Sequence, residues 1–378
     1  MSAGAQPGGR SGGAAREAGI IRAAVTTGTP DTGNRMFLTL EGLRGVAAIA
    51  VMTFHFHIAR PLPSAYLSVD LFFMLSGFVI ALRYLDRLRS GEVGAGAFIV
   101  ARVLRLYPLY LFGTLLGIAS LGAGMVFGGG ADHRPGELAA QAGFAVLMLP
   151  TTIGSGNLYP LNVPAWSLFL EIAANAALAV CAARVSRLVP ALLAVTAVLL
   201  VAAGITTGTL DLGAEWRALG WGFVRVGFSF GAGVAICMAR HRLAGRVPAL
   251  PPLAIVAVMV ATFLLPREGV LASVAAPLVV LLLYPLLIMA AIAVEPVGIA
   301  ARAARLLGLL SFPIYAVHVP LLAMSRQAAR VFGISPLASL LCTLPVIFAV
   351  AWAALRWIDE PVRKLLSGWL RGRSARRA

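Results

Sequence analysis

The chain has 378 residues, of which 60% are hydrophobic and only 12% are charged, whereas a soluble domain carries about 25% charged residues. This composition excludes an ordinary water-soluble enzyme, a disordered protein and a nucleic-acid binder with a polar surface. The formal net charge of +16 comes from 31 basic residues, almost all of them arginine. In a membrane protein, such an excess is typical of loops on the cytoplasmic side.

Residues 1–35 are rich in Gly, Ala, Ser, Thr and Pro with scattered Arg, and we interpret them as a disordered cytoplasmic tail. They hold no apolar segment ahead of a cleavage site, so they are not a secretory signal peptide. Residues 36–360 form the predicted membrane domain, and 361–378 a basic cytoplasmic tail. The three cysteines lie in apolar runs without metal-ligand spacing, so we expect buried thiols and no metal site.

Apolar runs long enough to cross a bilayer, which needs about 20 residues, recur from residue 38 onwards. They predict an all-α fold, a polytopic membrane bundle of about ten transmembrane helices. The predicted spans are 38–59, 66–85, 106–128, 164–184, 188–207, 217–239, 250–266, 270–293, 305–325 and 336–357. A shorter apolar stretch at 137–150 is interpreted as a re-entrant or interfacial helix.

Loop charge supports this arrangement, with both termini in the cytoplasm. The composition, rich in Ala, Gly and Arg, is typical of a bacterium, so the expected location is the inner membrane. Counting 137–150 as a crossing would invert every later loop and place the basic ones outside. The loops assigned to the outside hold few arginines: Arg60, Arg134, Arg217, Arg267, Arg326 and Arg330.

Charged and polar residues inside the apolar runs are the candidate functional residues, because an intramembrane charge costs about 2.5–3.5 kcal/mol. Arg44 and His55 are eleven residues apart in the first span, which places them on one helix face, about 16 Å apart along the axis. Separately, Arg44 is explained as an interface anchor and His55 as a core histidine. Their shared face favours a functional role.

Asp70 lies near the outer end of the second predicted helix, which a short loop joins to the end of the first. Two roles are open for it: orientation of the His55 ring, or capping of its own helix. In the same helix, Ser76 and Gly77 permit close contact with a neighbouring helix.

Arg102 and Arg105 are spaced i, i+3 and share a helix face at the predicted inner surface. Such a pair suits phosphate recognition, and it is also a common positive-inside anchor. Glu171 lies about two turns into a membrane helix. It is expected to pair with an internal Arg or His, or to be neutral.

Near the end of the chain, Ser311, Tyr315 and His318 follow one another at spacings of four and three and therefore line one helix face. Pro313 lies within this segment and favours a kink. His318 is either a substrate contact or a structural hydrogen-bonding residue.

Together these segments resemble the acyltransferase 3 family of integral-membrane acyltransferases. The matching pieces are Gly42-Leu43-Arg44-Gly45 with His55, Val69-Asp70-Leu71-Phe72-Phe73 with Ser76-Gly77-Phe78, Arg102-Val103-Leu104-Arg105 with Tyr107-Pro108, Trp166-Ser167-Leu168 with Glu171, and Ser311 with Tyr315 and His318. The resemblance implies transfer of an acyl group, commonly acetyl, from cytoplasmic acyl-CoA to a hydroxyl of a glycan, lipid-linked sugar or secondary metabolite. It also implies that His55 is catalytic, that Arg44 is essential and that Arg102 and Arg105 serve the donor.

The mechanism we expect begins with Arg102 and Arg105, helped by Arg44, holding the CoA phosphates at the inner face. The pantetheine arm then extends up the bundle to His55, which acts as general base on the acceptor hydroxyl. An acyl-histidine intermediate is a rival route.

The expected catalytic residues are His55, Asp70 and Arg44, and the expected acyl-CoA-binding residues are Arg102, Arg105 and Arg44. Residues expected to bind substrate or to be structural are Glu171, Trp166, Ser76, Tyr315 and His318. The expected partners are the lipid bilayer, acyl-CoA and a hydroxyl acceptor, with no bound cofactor, metal or nucleic acid; the oligomeric state stays open. The alternative function is a transporter or flippase that moves its solute without acyl transfer.

Overall fold

A computed structural model describes residues 37–56, 58, 60–127, 134–243 and 245–365. The predicted N-terminal tail at 1–35 lies outside these residues, as does most of the predicted C-terminal tail at 361–378. The first residues of that C-terminal segment, up to 365, are helical.

The described part of the chain is helical and contains no β-strand, apart from an isolated bridge between Asn157 and Glu215. The α-helices are α1 Leu38–Phe54, α2 Ser68–Arg89, α3 Ala95–Val126, α4 Pro135–Val146, α5 Ala165–Cys181, α6 Val185–Thr207, α7 Leu219–Leu243, α8 Pro252–Phe263, α9 Val270–Leu278, α10 Tyr284–Ala293, α11 Gly298–Phe332 and α12 Pro336–Ala354. Short 3₁₀ turns lie at Ala65–Leu67, Ala182–Arg184 and Trp216–Ala218, and π-helical turns at Val279–Leu283 and Leu355–Asp359.

Seven helical segments of the described residues are long and apolar enough to cross a membrane. They are Ala65–Arg89, Ala95–Val126, Ala165–Thr207, Trp216–Leu243, Val270–Ala293, Gly298–Phe332 and Pro336–Leu365. The count of ten crossings stays a prediction, because α1 and α8 are shorter than these segments, and α5 continues into α6 through a 3₁₀ turn. The stretch predicted to be re-entrant or interfacial corresponds to α4, which has 12 residues.

The outer surface of the bundle is apolar. On α6, for example, Val195, Val198 and Ile205 are 59%, 69% and 68% exposed. Exposed aliphatic side chains suit a lipid environment, and a helix satisfies its own backbone hydrogen bonds there. The fold is therefore that of a multi-pass membrane protein.

The cysteines differ in their exposure, although all three are free. Cys237 is buried, Cys181 is half-buried and Cys342 is exposed. The expectation of buried thiols is wrong for Cys342, because α12 presents that side of the helix away from the bundle.

Helices α1 and α11 run parallel and pack closely through small residues. A Cβ added at Gly45 would overlap Leu307, and one added at Gly308 would overlap Glu41. This close approach brings Arg44 and His55 of α1 alongside the same neighbouring helix.

Helices α2 and α7 also run parallel and pack through glycines. A Cβ at Gly77 would overlap the backbone of Phe230, and a Cβ at Gly233 would overlap that of Met74. Gly77 thus makes the close helix contact expected of it with α7, whereas the hydroxyl of Ser76 bonds to Glu171 of α5. The packing of α2 against α7 sets the first turns of the two helices side by side.

Candidate functional site

The ring of His55 lies at the end of α1, where two neighbours hold it in place. Its Nδ1 lies 2.9 Å from the carbonyl oxygen of Val51 and 3.3 Å from Nε2 of His318. Because a carbonyl oxygen only accepts hydrogen bonds, Nδ1 carries the proton and donates it. The neutral ring therefore keeps its lone pair on Nε2, which is the form that a base requires.

His318, on α11, is fully buried and orients this ring. Its own Nδ1 lies 2.9 Å from the carbonyl oxygen of Tyr315 and 3.1 Å from that of Ile314. By the same reasoning Nδ1 is the donor, and Nε2 of His318 is an acceptor facing His55. The two histidines are thus fixed in complementary tautomers by the backbones of α1 and α11.

His55 lines a cavity of about 420 Å³. Its aromatic wall consists of Phe54, Tyr66, Trp166 and Tyr315, and its charged groups are Arg60, Asp211, Arg225, Arg267 and Arg326. The loops that contribute to the cavity are those that the sequence analysis assigned to the outer side. The cavity lies at the end of the bundle where α1 ends and α2, α5 and α7 begin.

Asp70 does not contact His55. Its carboxylate pairs with Arg225 of α7, with Nη2 2.6 Å from Oδ2 and Nε 3.3 Å from Oδ1, and Ser229 Oγ lies 3.3 Å from Oδ1. The side chains of Arg225 and Asp70 are 1% and 0% exposed. Neither of the roles considered for Asp70 matches the structure, since it caps no helix either. The parallel packing of α2 and α7 supplies the cation that a buried carboxylate requires.

Arg225 was not among the functional residues expected from the sequence. This guanidinium also donates to the carbonyl oxygens of Leu212, at 2.6 Å, and Tyr66, at 3.2 Å, and it lies 5.5 Å from the ring centroid of Trp166. The signal was present in the sequence: Arg225 is a charge within the apolar segment 217–239, the criterion that selected Arg44.

Tyr315 and Trp166 form adjoining parts of the cavity wall. The hydroxyl of Tyr315 lies 2.9 Å from the carbonyl oxygen of Pro164 and 2.7 Å from Oγ of Ser167. Through these bonds α11 holds the first turn of α5, and with it the indole of Trp166, against the cavity.

Arg44 lies at the opposite end of α1 and is bonded to α11 as well. Its Nε lies 2.9 Å from Oγ of Ser311, and its Nη2 lies 2.8 Å from the carbonyl oxygen of Gly308 and 2.6 Å from Oε2 of Glu41. The partnership with Glu41 was not expected from the sequence. Arg44 is thus anchored, although its side chain is still 36% exposed.

Arg102 reaches from α3 to the interior of the bundle. Its Nη2 lies 3.2 Å from Oε1 of Glu171, which also accepts from Ser76 Oγ at 2.7 Å. Glu171 therefore pairs with an internal arginine. The Nε of Arg102 is buried and has no hydrogen-bond partner among the described residues. This donor is therefore free to bind an acceptor that is not part of the protein.

Further arginines surround Arg102. Arg105 is half-buried and lies within electrostatic range of Arg44, Arg102 and Arg363, and Arg83 lies within range of Arg44 and Arg102. We call these five residues the basic cluster: Arg44, Arg83, Arg102, Arg105 and Arg363. The acids nearby are Glu41, Glu171 and Asp359. The cluster carries more positive than negative charge, and it lies at the end of the bundle opposite the His55 cavity.

Comparison with known proteins identifies the family. Residues 37–356, most of the chain, match a family model for an acyltransferase domain, Acyl_transf_3. The chain belongs to the acyltransferase 3 family. It is a multi-pass membrane acyltransferase.

A curated relative of this acyltransferase is "Protein 2 in picA locus" from Rhizobium radiobacter. The two sequences are 41% identical over 180 residues, which cover 44% of this chain and 94% of the relative. No solved structure matches the chain.

Proposed function

We propose that this acyltransferase moves an acetyl group from cytoplasmic acyl-CoA to a hydroxyl of a cell-surface or exported glycan, with His55 as general base. The observation that carries the proposal is the His55 ring: Nδ1 is held by the Val51 carbonyl and by His318, and the ring lines a cavity of about 420 Å³. This volume falls within the range of about 300–1,000 Å³ that is usual for small-molecule sites.

The basic cluster supports acyl-CoA as the donor. CoA carries several phosphate charges, and arginine is suited to bind them through paired N–H donors. Arg102 has an unpartnered Nε and Arg105 is surrounded by other cations, so both gain from a bound polyanion. Arg44 already bonds to α11, and its role is to add charge and fix this end of α1.

The chemical step needs a base beside the acceptor hydroxyl. Nε2 of His55 takes the hydroxyl proton while the hydroxyl oxygen attacks the thioester carbonyl. The new C–O bond forms, the C–S bond breaks, and the departing sulfur receives the proton from the imidazolium. Such general-base assistance is typically worth about 10²–10⁴-fold in rate.

Asp70 has a different role in this scheme from the catalytic one expected from the sequence. Because its carboxylate is occupied by Arg225, it stabilises the wall of the cavity and takes no part in proton transfer. His318 replaces it as the residue that orients His55.

The experiment compares membranes that contain the wild-type chain, His55→Ala or His241→Ala. With radiolabelled acetyl-CoA and total glycan as acceptor, we expect His55→Ala to lose about 10²–10⁴-fold of the transfer rate while acyl-CoA binding persists. His241→Ala removes an exposed histidine at the end of α7, away from the cavity, and should transfer normally. Turnover retained by His55→Ala would refute the assignment.

Two further outcomes separate the rival mechanisms. A single-turnover reaction without acceptor should leave no label on the protein, whereas label on His55 would establish the acyl-histidine route. Release of free CoA thiol distinguishes acyl transfer from transport, because a flippase moves its solute without consuming acetyl-CoA.

A further inference from the structure

Arginine is concentrated around the His55 cavity. Three of the six arginines that the sequence analysis assigned to the outer loops line it: Arg60, Arg267 and Arg326. Arg225 is the fourth arginine in its wall, and Asp211 is the acid that lines it with them. Since outer loops are generally poor in arginine, positive charge at this position calls for a specific reason.

Two of the four arginines are neutralised by the protein. Arg225 pairs with Asp70, and Arg267 pairs with Asp211, with Nη2 and Nε lying 2.7 Å and 3.0 Å from Oδ2. Arg267 also reaches Glu268 at 3.2 Å. Among the described residues, Arg60 and Arg326 have no carboxylate within ion-pair distance. The cavity thus retains two uncompensated cations.

These two cations line the same cavity as His55 and come from different elements. The guanidinium of Arg60 lies 5.1 Å from the ring centroid of Phe54, the residue that precedes His55. Arg326 lies on α11, eight residues or about 12 Å beyond His318. Both positive charges act on the His55 ring, and so does the negative charge of Asp211, which is shared with Arg267. Both side chains are also exposed, so a solute that enters the cavity can reach them.

The positive charges of Arg60 and Arg326 oppose protonation of His55 during catalysis, and a negatively charged substrate would offset this effect. When His55 accepts a proton, the imidazolium is disfavoured by Arg60 and Arg326. A negative group bound between them offsets both charges just where the new cation forms. A neutral glycan supplies no such compensation.

We propose that the His55 cavity binds its acceptor through an oxyanion, a carboxylate or a phosphate, held by Arg60 and Arg326. This inference rests on the proposed function in so far as the bound anion is the acyl acceptor. It names the acceptor class as an acidic or phosphorylated sugar, and it makes Arg60 and Arg326 specificity-determining residues.

The test measures binding without requiring acyl transfer. The purified full chain, in nanodiscs of a single zwitterionic lipid, is treated with diethyl pyrocarbonate, and modification of His55 is followed by peptide mass spectrometry. The probes are methyl β-glucuronide for the carboxylate, glucose 6-phosphate for the phosphate, and methyl β-glucoside as the neutral match. We expect at least one anionic sugar to protect His55 at about tenfold lower concentration than the neutral sugar.

Variants of the arginines show whether Arg60 and Arg326 cause the preference for the anionic sugar. Arg60→Gln with Arg326→Gln should abolish the preference for the anionic sugar. Arg330→Gln, which removes an exposed charge one turn after Arg326 and outside the cavity wall, should retain it. Equal protection by the neutral sugar, or an unchanged preference in the double variant, would overturn the proposal.

Whichever anionic sugar protects His55 at the lower concentration shows whether the cavity prefers a carboxylate or a phosphate. Protection by either one supports the proposal, and protection by neither overturns it. A chain that shows anion-selective protection but transfers no acetyl group would contradict the proposed function and leave the anion site standing.

Discussion

The two ends of the bundle use arginine in different ways. At the His55 cavity, Arg225 and Asp70 form a closed pair that is 1% and 0% exposed, and Arg225 also bonds to two backbone carbonyls. In the basic cluster, the paired side chains of Arg102 and Glu171 are 13% and 18% exposed, and positive charge is in excess. The buried, balanced pair fixes the geometry around the base, whereas Arg60 and Arg326 at the same cavity are exposed and unpaired. Accessible, unbalanced charge suits the binding of a mobile polyanion.

The largest expected effect is on stability and breaks the balanced pair. Arg225→Met leaves the Asp70 carboxylate buried without a cation, which should cost about 3–5 kcal/mol in the free energy of unfolding. Thermal unfolding in detergent micelles measures the loss. Combining it with Asp70→Leu should restore most of the stability, because the uncompensated charge is then gone.

A matched control for this prediction is Arg217→Met. This arginine, just before α7, is 84% exposed, so its removal should change stability by no more than about 0.5 kcal/mol. A double variant as unstable as Arg225→Met alone would show that the hydrogen bonds to Tyr66 and Leu212, rather than the charge, stabilise the cavity wall.

The next prediction concerns the basic cluster. Arg102→Ala with Arg105→Ala should raise the KM for acyl-CoA about tenfold or more with a smaller change in kcat, because charge-assisted hydrogen bonds to the donor are lost. Initial rates at varied acyl-CoA concentration measure it.

Arg302 and Arg305 provide the control for this prediction. They have the same i, i+3 spacing and are exposed. They lie in the first turns of α11, at the end that the sequence assigns to the same side of the membrane as Arg102 and Arg105. Their double alanine variant should keep the wild-type KM. An increase of the same size in both double variants would mean that general surface charge, rather than the basic cluster, attracts the donor.

The smallest expected effect concerns the positioning of the base. His318→Phe keeps a ring in the site but removes the acceptor that faces Nδ1 of His55, whose bond to Val51 remains. We expect kcat to fall about threefold to tenfold, as for loss of one hydrogen bond, while the KM for acyl-CoA is unchanged.

A conservative variant distinguishes a positioning role of His318 from a general loss of folding, as does the comparison of the change in kcat with the change in KM. His318→Gln, whose side-chain oxygen is an acceptor, should recover part of the lost kcat. If His318→Phe instead raised the KM for acyl-CoA, His318 would belong to donor binding.

The sequence was most informative about the helices. Periodic apolar runs located them well, as in the overlap of 305–325 with α11 and of 270–293 with α9 and α10. Their ends were less well predicted, because α3 starts eleven residues before its predicted span, at Ala95, through a segment with Arg102 and Arg105. A hydropathy window stops at charges, whereas these two point into the bundle.

Pairings between helices were harder to predict. Asp70 was considered as a partner of His55 because a short loop joins their helices, yet its partner is 155 residues away on α7. Spacing along one helix fixes a face, as it did for Ser311, Tyr315 and His318. It says nothing about which helix packs there, and that was decided by glycines such as Gly77 and Gly233.

One helix, α11, contacts both Arg44 and His55. Helix α11 bonds to Arg44 through Ser311 and to His55 through His318. Ser311 and His318 are seven residues apart, which is about 10 Å along the helix axis. These two contacts fix Arg44 and His55 of α1 against one helix. The backbone of α11 therefore sets the distance between Arg44, which belongs to the basic cluster, and His55. In the proposed mechanism, a donor whose arm is shorter than this distance does not bring its thioester to His55, so we expect the length of the donor to matter as well as its charge.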